Sequence, residues 1–208
     1  MHPGVILAGG EARRLGGKGK AFVNVSGVPL VWHIINNFKG QVNNLAINSR
    51  DKNKFLDFGL PILDDTIKEE GGSGPLAGIS SAIKWAKTLD NKINNYVVTV
   101  PVDTPFLPLD LVKRMSMELS INNADVIMAS SNNNIYPVIA LWSLDLDIYL
   151  DKALYEGIRK IDAFTNLYNV SIVDWSYSNI NPFFNINKQK DIILAEKYIN
   201  SWRLYFLC

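Results

Sequence analysis

The sequence predicts an α/β protein: a doubly wound, mainly parallel but mixed sheet with helices on both faces. Three observations predict it. Short apolar runs at residues 5–8, 45–49, 60–63 and 96–102 alternate with stretches of helical periodicity through the first half of the chain, the signature of a parallel sheet joined by right-handed crossovers. The run at 96–102, Tyr-Val-Val-Thr-Val-Pro-Val, is continuous and β-branched, as in a central strand buried on both faces. A glycine-rich segment directly follows the first run, and in such folds the site lies along the C-terminal edge of the strands.

The elements follow in order. Residues 5–8 form the first strand, and residues 21–25 are extended up to Ser26-Gly27. Pro29 opens a helix to about Phe38, because a first-turn proline gives up an N–H that has no helical partner. Residues 45–49 and 60–63 are the next two strands, with a short helix over 52–58 between them. Residues 68–75 read as a loop. Ser73 or Gly74 caps a helix from Pro75 whose apolar positions Leu76, Ile79, Ile83 and Ala86 share one face. After the central strand come a helix over 109–119 and a hairpin of strands 125–129 and 137–142 around Asn132-Asn133-Asn134. Helices over 145–155 and 158–168, a last strand over 170–175 and a helix over 188–202 complete the chain.

The segment Gly9-Gly10-Glu11-Ala12-Arg13-Arg14-Leu15-Gly16-Gly17-Lys18-Gly19-Lys20 has the composition of a phosphate loop. Its glycines let backbone N–H groups approach an anion, and its cations neutralise that anion. A P-loop requires Gly, four residues, then Gly-Lys-Ser/Thr. Here Gly17-Lys18 has Ala12 at the first glycine position and Gly19 after the lysine, so the match fails twice. The dinucleotide fingerprint G-x-G-x-x-G is also missing. What remains, Leu-Ala-Gly-Gly, then Arg14, Leu-Gly-Gly and Lys20, resembles the signature of nucleotidyltransferases that activate a phosphate or sugar phosphate with a nucleoside triphosphate.

Placed on the predicted sheet, the Gly-rich loop, Asn48, Asp65 and Asp103 all fall at one strand edge. Pro101 and Pro105 hold the backbone of Asp103 rigid and end the ladder. Mg²⁺ is commonly held by one or two carboxylates and substrate phosphates, and Asp103 is the expected ligand. Arg14 and Lys20 are expected to neutralise the outer phosphates of the triphosphate. No Ser-His or Cys-His pair suggests a covalent route, and Ser80 and Ser81 read as helix residues.

Composition narrows the classes. With 208 residues, 48% hydrophobic and 20% charged, the chain has an ordinary full core. A net charge of +1 argues against nucleic acid or membrane as the main partner. The one cysteine, Cys208, excludes a disulfide framework or thiolate metal site; His2 and His33 do not suggest zinc, and His33 reads as half-buried helix packing. The apolar run after His2-Pro3 is too short for a signal peptide and breaks at the glycines, no segment approaches a membrane span, and a cytoplasmic location is expected.

Taken together, Leu7-Ala8-Gly9-Gly10 with Arg14, Gly16-Gly17 and Lys20, then Gly74-Pro75-Leu76-Ala77-Gly78-Ile79, then Val100-Pro101-Val102-Asp103-Thr104-Pro105-Phe106-Leu107-Pro108, resemble the molybdenum cofactor guanylyltransferases of the MobA type. The likeness continues at residues 136–141 and at Asn185-Ile186-Asn187, and so covers nearly the whole chain. It implies one Rossmann-like nucleotidyltransferase domain over 1–208, with a nucleotide-binding half of about 1–108 and an acceptor-binding half of about 109–208. The implied reaction is Mg²⁺-dependent transfer of GMP from GTP to the phosphate of molybdopterin, with other molybdenum cofactor biosynthesis proteins and acceptor molybdoenzymes as implied partners. Leu7, Ala8, Gly9 and Gly10 would line guanine and ribose, Lys20 the triphosphate, Asn48 and Asp65 the nucleotide, Asp103 the metal, and Asn185 and Asn187 the acceptor. Tyr136, Ile158 and Lys188-Gln189 depart from the family pattern, all in the acceptor half. A cytidylyltransferase for the same pterin, a sugar- or polyol-phosphate transferase, and a nucleotide-binding regulator without catalysis stand as alternatives.

Overall fold

In the computed structural model, residues 1–9, 19–66, 74–89, 95–176 and 180–205 are described, with side chains described as far as residue 199. The strands are β1 (Gly4–Leu7), β2 (Asn24–Val25), β3 (Val28–Pro29), β4 (Leu45–Asn48), β5 (Ile62–Leu63), β6 (Tyr96–Pro101), β7 (Val126–Ser131), β8 (Asn134–Ser143) and β9 (Val170–Asp174). The helices are α1 (Leu30–Phe38), α2 (Gly74–Thr88), α3 (Leu111–Asn122), α4 (Asp147–Tyr155), α5 (Ile161–Thr165) and α6 (Gln189–Tyr205).

Seven strands form one sheet in the order β5-β4-β1-β6-β8-β7-β9, while β2 and β3 make a separate two-stranded ribbon. The pairs β1–β4, β1–β6, β4–β5 and β7–β9 are parallel, and β8 runs antiparallel to both its neighbours, β6 and β7. The mixed, mainly parallel sheet therefore matches the expectation. Alternate residues of β1 feed opposite faces: Ile6 joins the core under α1 and α3, and Val5 the core under α2, α4 and α5. A third, smaller core gathers Val25, Leu30, Phe106, Ile180 and Ile186 with Ile192, Ala195 and Ile199 of α6. It fastens the last helix beside the segment that follows β6.

Local physics moved several boundaries. Residues 20–22 are a tight 3-10 turn where an extended segment was expected, and Pro29 closes the β2–β3 ribbon ahead of α1. The β7–β8 hairpin is longer than predicted. Asn132 and Asn133 take φ of +48° and +64°, the left-handed pair that a two-residue hairpin turn needs, and a register shift next to Met128 and Ala129 lets β8 pass Pro137. The predicted helix over 158–168 shrinks to the five residues of α5. Gly157, at φ +83°, ends α4 in a left-handed cap, and Ile158 N–H returns to Ala153 O at 2.9 Å, so residues 156–160 close α4 and do not open a new helix.

Candidate active site

Because β1, β4, β5 and β6 are parallel, their C-terminal ends share one edge. Backbone bonds extend the ladder past that edge: Val102 N–H donates to Leu7 O (3.1 Å), Ala8 N–H to Asn48 O (2.8 Å) and Ser49 N–H to Leu63 O (2.9 Å). Asp103 emerges here, 8% exposed, with Thr104 Oγ1 bonded back to Pro101 O at 3.2 Å. Its backbone carbonyl accepts Ile186 N–H at 3.0 Å. That bond lays residues 185–187 against the β6 edge, although more than eighty positions separate them from Asp103 in the chain.

Lys20 closes this centre. Its ammonium forms an ion pair with Asp103 Oδ2 and hydrogen-bonds Asn185 Oδ1 (3.2 Å) and Asn187 Oδ1. A lysine has three N–H donors and no acceptor, so three converging oxygens use all of them. Lys20 and Asp103 side chains are 13% and 12% exposed, and in such a setting a charged hydrogen bond is less screened than on the surface.

A second cluster sits at the ends of β4 and β5. Asn48 is 2% exposed and donates to Asp65 Oδ1 (3.1 Å) and Leu63 O (3.4 Å). Arg50 lies 3.8 Å from Asp65 Oδ2 and reaches Gly9 O at 3.4 Å, tying this cluster to the end of β1. Gly78, in the first turns of α2, lets that helix close on the same point. A Cβ there would lie 2.7 Å from Asn48 Oδ1 and 3.2 Å from Leu7 Cδ2.

Among the described residues no three His, Cys, Asp or Glu side chains group as a metal cage. The donor set that does exist is one carboxylate with two amide oxygens, and Asp103 Oδ1 is buried without a hydrogen-bond partner among the described residues. A buried carboxylate oxygen left unpaired is costly. A hard cation completed by substrate phosphates suits that oxygen, so the residues present fit Mg²⁺.

The structure thus gathers Lys20, Asp103, Asn185 and Asn187 into one centre and Asn48 with Asp65 into another, with Leu7, Ala8 and Gly9 at the end of β1 beside them. Gly10 and Arg14 lie outside the described residues. Sequence reasoning missed Arg50, although a cation two residues past a strand that ends at the site was a usable signal. It also missed the contact made by Gly78. Two departures from the family pattern have packing roles: Tyr136 Oη accepts Asn181 Nδ2–H at 2.6 Å and its ring lies 5.0 Å from Phe183, and Ile158 packs against the core under α2. Ser80 and Ser81 are buried in α2, where Ser81 bonds Asp64 O and Ala77 O, and His33 is half-buried against Val25 O.

Residues 4–167 match the family model described as the MobA-like NTP transferase domain. The chain belongs to this family. It is a nucleotidyltransferase. Among curated relatives it is 38% identical to the molybdenum cofactor guanylyltransferase of Rhodopseudomonas palustris (strain BisB5), covering 94% of this chain and 92% of that one. It is 36% identical to the protein of that name from Bradyrhizobium sp. (strain ORS 278), with the same coverage. The fold is similar to that of the molybdopterin-guanine dinucleotide biosynthesis protein A of Archaeoglobus fulgidus (TM-score 0.76, 21% identity, 96% and 99% of the two chains). It is also similar to that of 4-diphosphocytidyl-2C-methyl-D-erythritol synthase of Anaerococcus prevotii DSM 20548 (TM-score 0.71, 14% identity, 96% of each chain). Among the described residues no helix is long and apolar enough to cross a membrane.

Proposed function

We propose that this chain is a molybdenum cofactor guanylyltransferase, moving GMP from GTP to the terminal phosphate of molybdopterin. The observation that carries the reading is the Lys20–Asp103–Asn185–Asn187 centre, with one oxygen of Asp103 still unpaired, beside the end of β1. A phosphate oxygen of the acceptor attacks the α-phosphorus of GTP, the bond to the bridging oxygen of the β-phosphate breaks, and pyrophosphate leaves with that electron pair. Lys20 holds the departing charge. It exchanges a neutral amide partner for a phosphate oxygen, and the charge-assisted bond is the stronger one. Arg14 supplies the second cation. Asp103 would hold Mg²⁺, which would supply charge neutralisation at the phosphates when bound. Asn48 and Asp65 present polar groups to the nucleotide, and Asn185 and Asn187 face the acceptor phosphate.

The choice of GTP is supported by the relatives' names and by open space at Gly9, where an added Cβ would meet nothing described within 4 Å. Single-turnover transfer tests it, with α-labelled GTP or CTP offered separately with Mg²⁺ and molybdenum-loaded molybdopterin. Label passing from GTP alone is the expected result. Label from CTP would keep the chemistry and overturn the base, and tight nucleotide binding with no transfer would overturn the acceptor.

A further inference from the structure

Asp191 lies outside the centre just described, yet one of its oxygens, Oδ2, accepts the backbone N–H of both Asn187 (2.9 Å) and Lys188 (2.8 Å). It is the third residue of α6, the position from which a carboxylate reaches back to the orphan N–H groups at a helix start. Lys188, immediately before the helix, has a cation to offer and no acceptor, so the carboxylate of Asp191 serves this turn. A negative charge there also complements the positive end of the helix dipole.

What this turn positions is specific. Ile186 is fully buried in the third core with Phe106, Ile192, Ala195 and Ile199, and its N–H is fixed on Asp103 O. The flanking Asn185 and Asn187 thereby both reach Lys20. Asn185 is held by the Ile186 anchor on one side, and Asn187 by Asp191 on the other. Further along α6, Glu196 Oε1 accepts Ser26 N–H at 3.1 Å, fastening the β2–β3 ribbon that follows Lys20. Helix α6 therefore grips both strands of chain that meet at the ammonium.

We infer that Asp191 is a positioning residue for the Lys20–Asp103 centre, acting through the backbone of Asn187. The kinetic part of its test rests on the proposed guanylyl transfer, and a second part does not. Asp191→Ala should lower kcat by roughly tenfold or more, the usual scale for outer residues that orient a charged centre, with the KM for nucleotide changed far less. Asp191→Glu, which can still reach back to the turn, should restore most of the rate. Asp191→Asn, which keeps an acceptor oxygen but no charge, should fall between and guards against a failure of the alanine variant to fold. Ser143→Ala removes a different cap, Ser143 Oγ accepting Asp145 N–H on the opposite edge of the sheet. It should lower the unfolding midpoint and leave kcat alone.

The independent readout is the side-chain amide NMR signal of Asn187. Lys20→Met should shift that signal in an otherwise unchanged chain, and should no longer shift it in the Asp191→Ala background. Wild-type kcat in folded Asp191→Ala, or an Asn187 signal that still responds fully to Lys20→Met, overturns the inference. If the unmodified chain transfers no GMP, the functional reading fails and the amide signal alone decides the role of Asp191.

Discussion

Gly78→Ala is the sharpest test of how the cluster at the ends of β4 and β5 is assembled. In an ordinary buried helix position, alanine stabilises over glycine by about 1 kcal/mol. Here the new methyl group would stand 2.7 Å from Asn48 Oδ1, while ordinary contact starts at 3.4 Å, and Leu7 Cδ2 at 3.2 Å narrows the other side. Asn48 cannot retreat freely, since it is 2% exposed and held by Asp65 and Leu63 O. Overpacking of this kind costs about 1–3 kcal/mol, and weakening a hydrogen bond to a carboxylate costs about 1.5–3 kcal/mol. The second and third effects exceed the first, leaving a net loss of about 1.5–5 kcal/mol, or about 3–20 °C of melting temperature for a chain of this size. If Asn48 and Asp65 present the nucleotide, KM for GTP should also rise by about tenfold, the equivalent of about 1.4 kcal/mol. Calorimetric melting and steady-state kinetics read the two effects, and a double-mutant cycle isolates the cause. With Asn48→Ala as background the clash with Oδ1 disappears and only the milder Leu7 contact at 3.2 Å remains, so Gly78→Ala should become nearly neutral or stabilising. Equal destabilisation in both backgrounds would refute the contact, and an unchanged KM in a destabilised variant would remove Asn48 from nucleotide binding.

Three further predictions are independent. Asp103→Asn should abolish Mg²⁺-dependent turnover while circular dichroism shows an intact fold; near-normal turnover would remove Asp103 from the chemistry. Thr99→Val should cost about 1–3 kcal/mol in a denaturant titration, because Thr99 Oγ1 accepts Trp142 Nε1–H at 2.9 Å in a buried site and donates to Val138 O at 2.8 Å, and the variant removes both bonds; an unchanged midpoint would contradict it. Burial, with the N-terminal ammonium adding to it, depresses the pKa of His2 from 6.5 to about 4. The unfolded chain therefore binds the proton first, so this contribution is whole above pH 6.5 and is lost as pH falls from 6.5 toward 4. His2→Gln should flatten that part of the stability–pH curve, and an unaltered slope would assign it to other groups.

The strands and the phosphate-loop composition were legible because they are local. Hydrophobic periodicity placed β1, β4, β6 and β9 within a residue or two, and paired prolines marked the C-terminal end of β6. The misjudged helix over 158–168 shows the limit: its apolar spacing is real, but a left-handed Gly157 and the return bond from Ile158 to Ala153 outweigh periodicity. Asp65 and Asn48 were legible as strand-end residues. Arg50 was no more hidden than they were, but its partners, Asp65 Oδ2 and Gly9 O, are defined only once three strands lie side by side.

By itself, the sequence determined an α/β chain with a glycine-rich, cationic segment after the first strand, a proline-flanked carboxylate after the central one, and a family resemblance carried by spacing. The tertiary structure decided which side chains meet. Lys20, Asp103, Asn185 and Asn187 come from three distant segments, and their meeting depends on a parallel sheet edge, the Ile186–Asp103 backbone bond and a small core under α6. Periodicity reports which face of an element is apolar. It carries no information on which distant backbone N–H will satisfy a given carbonyl, and that pairing is what brings three asparagine and aspartate oxygens to one ammonium.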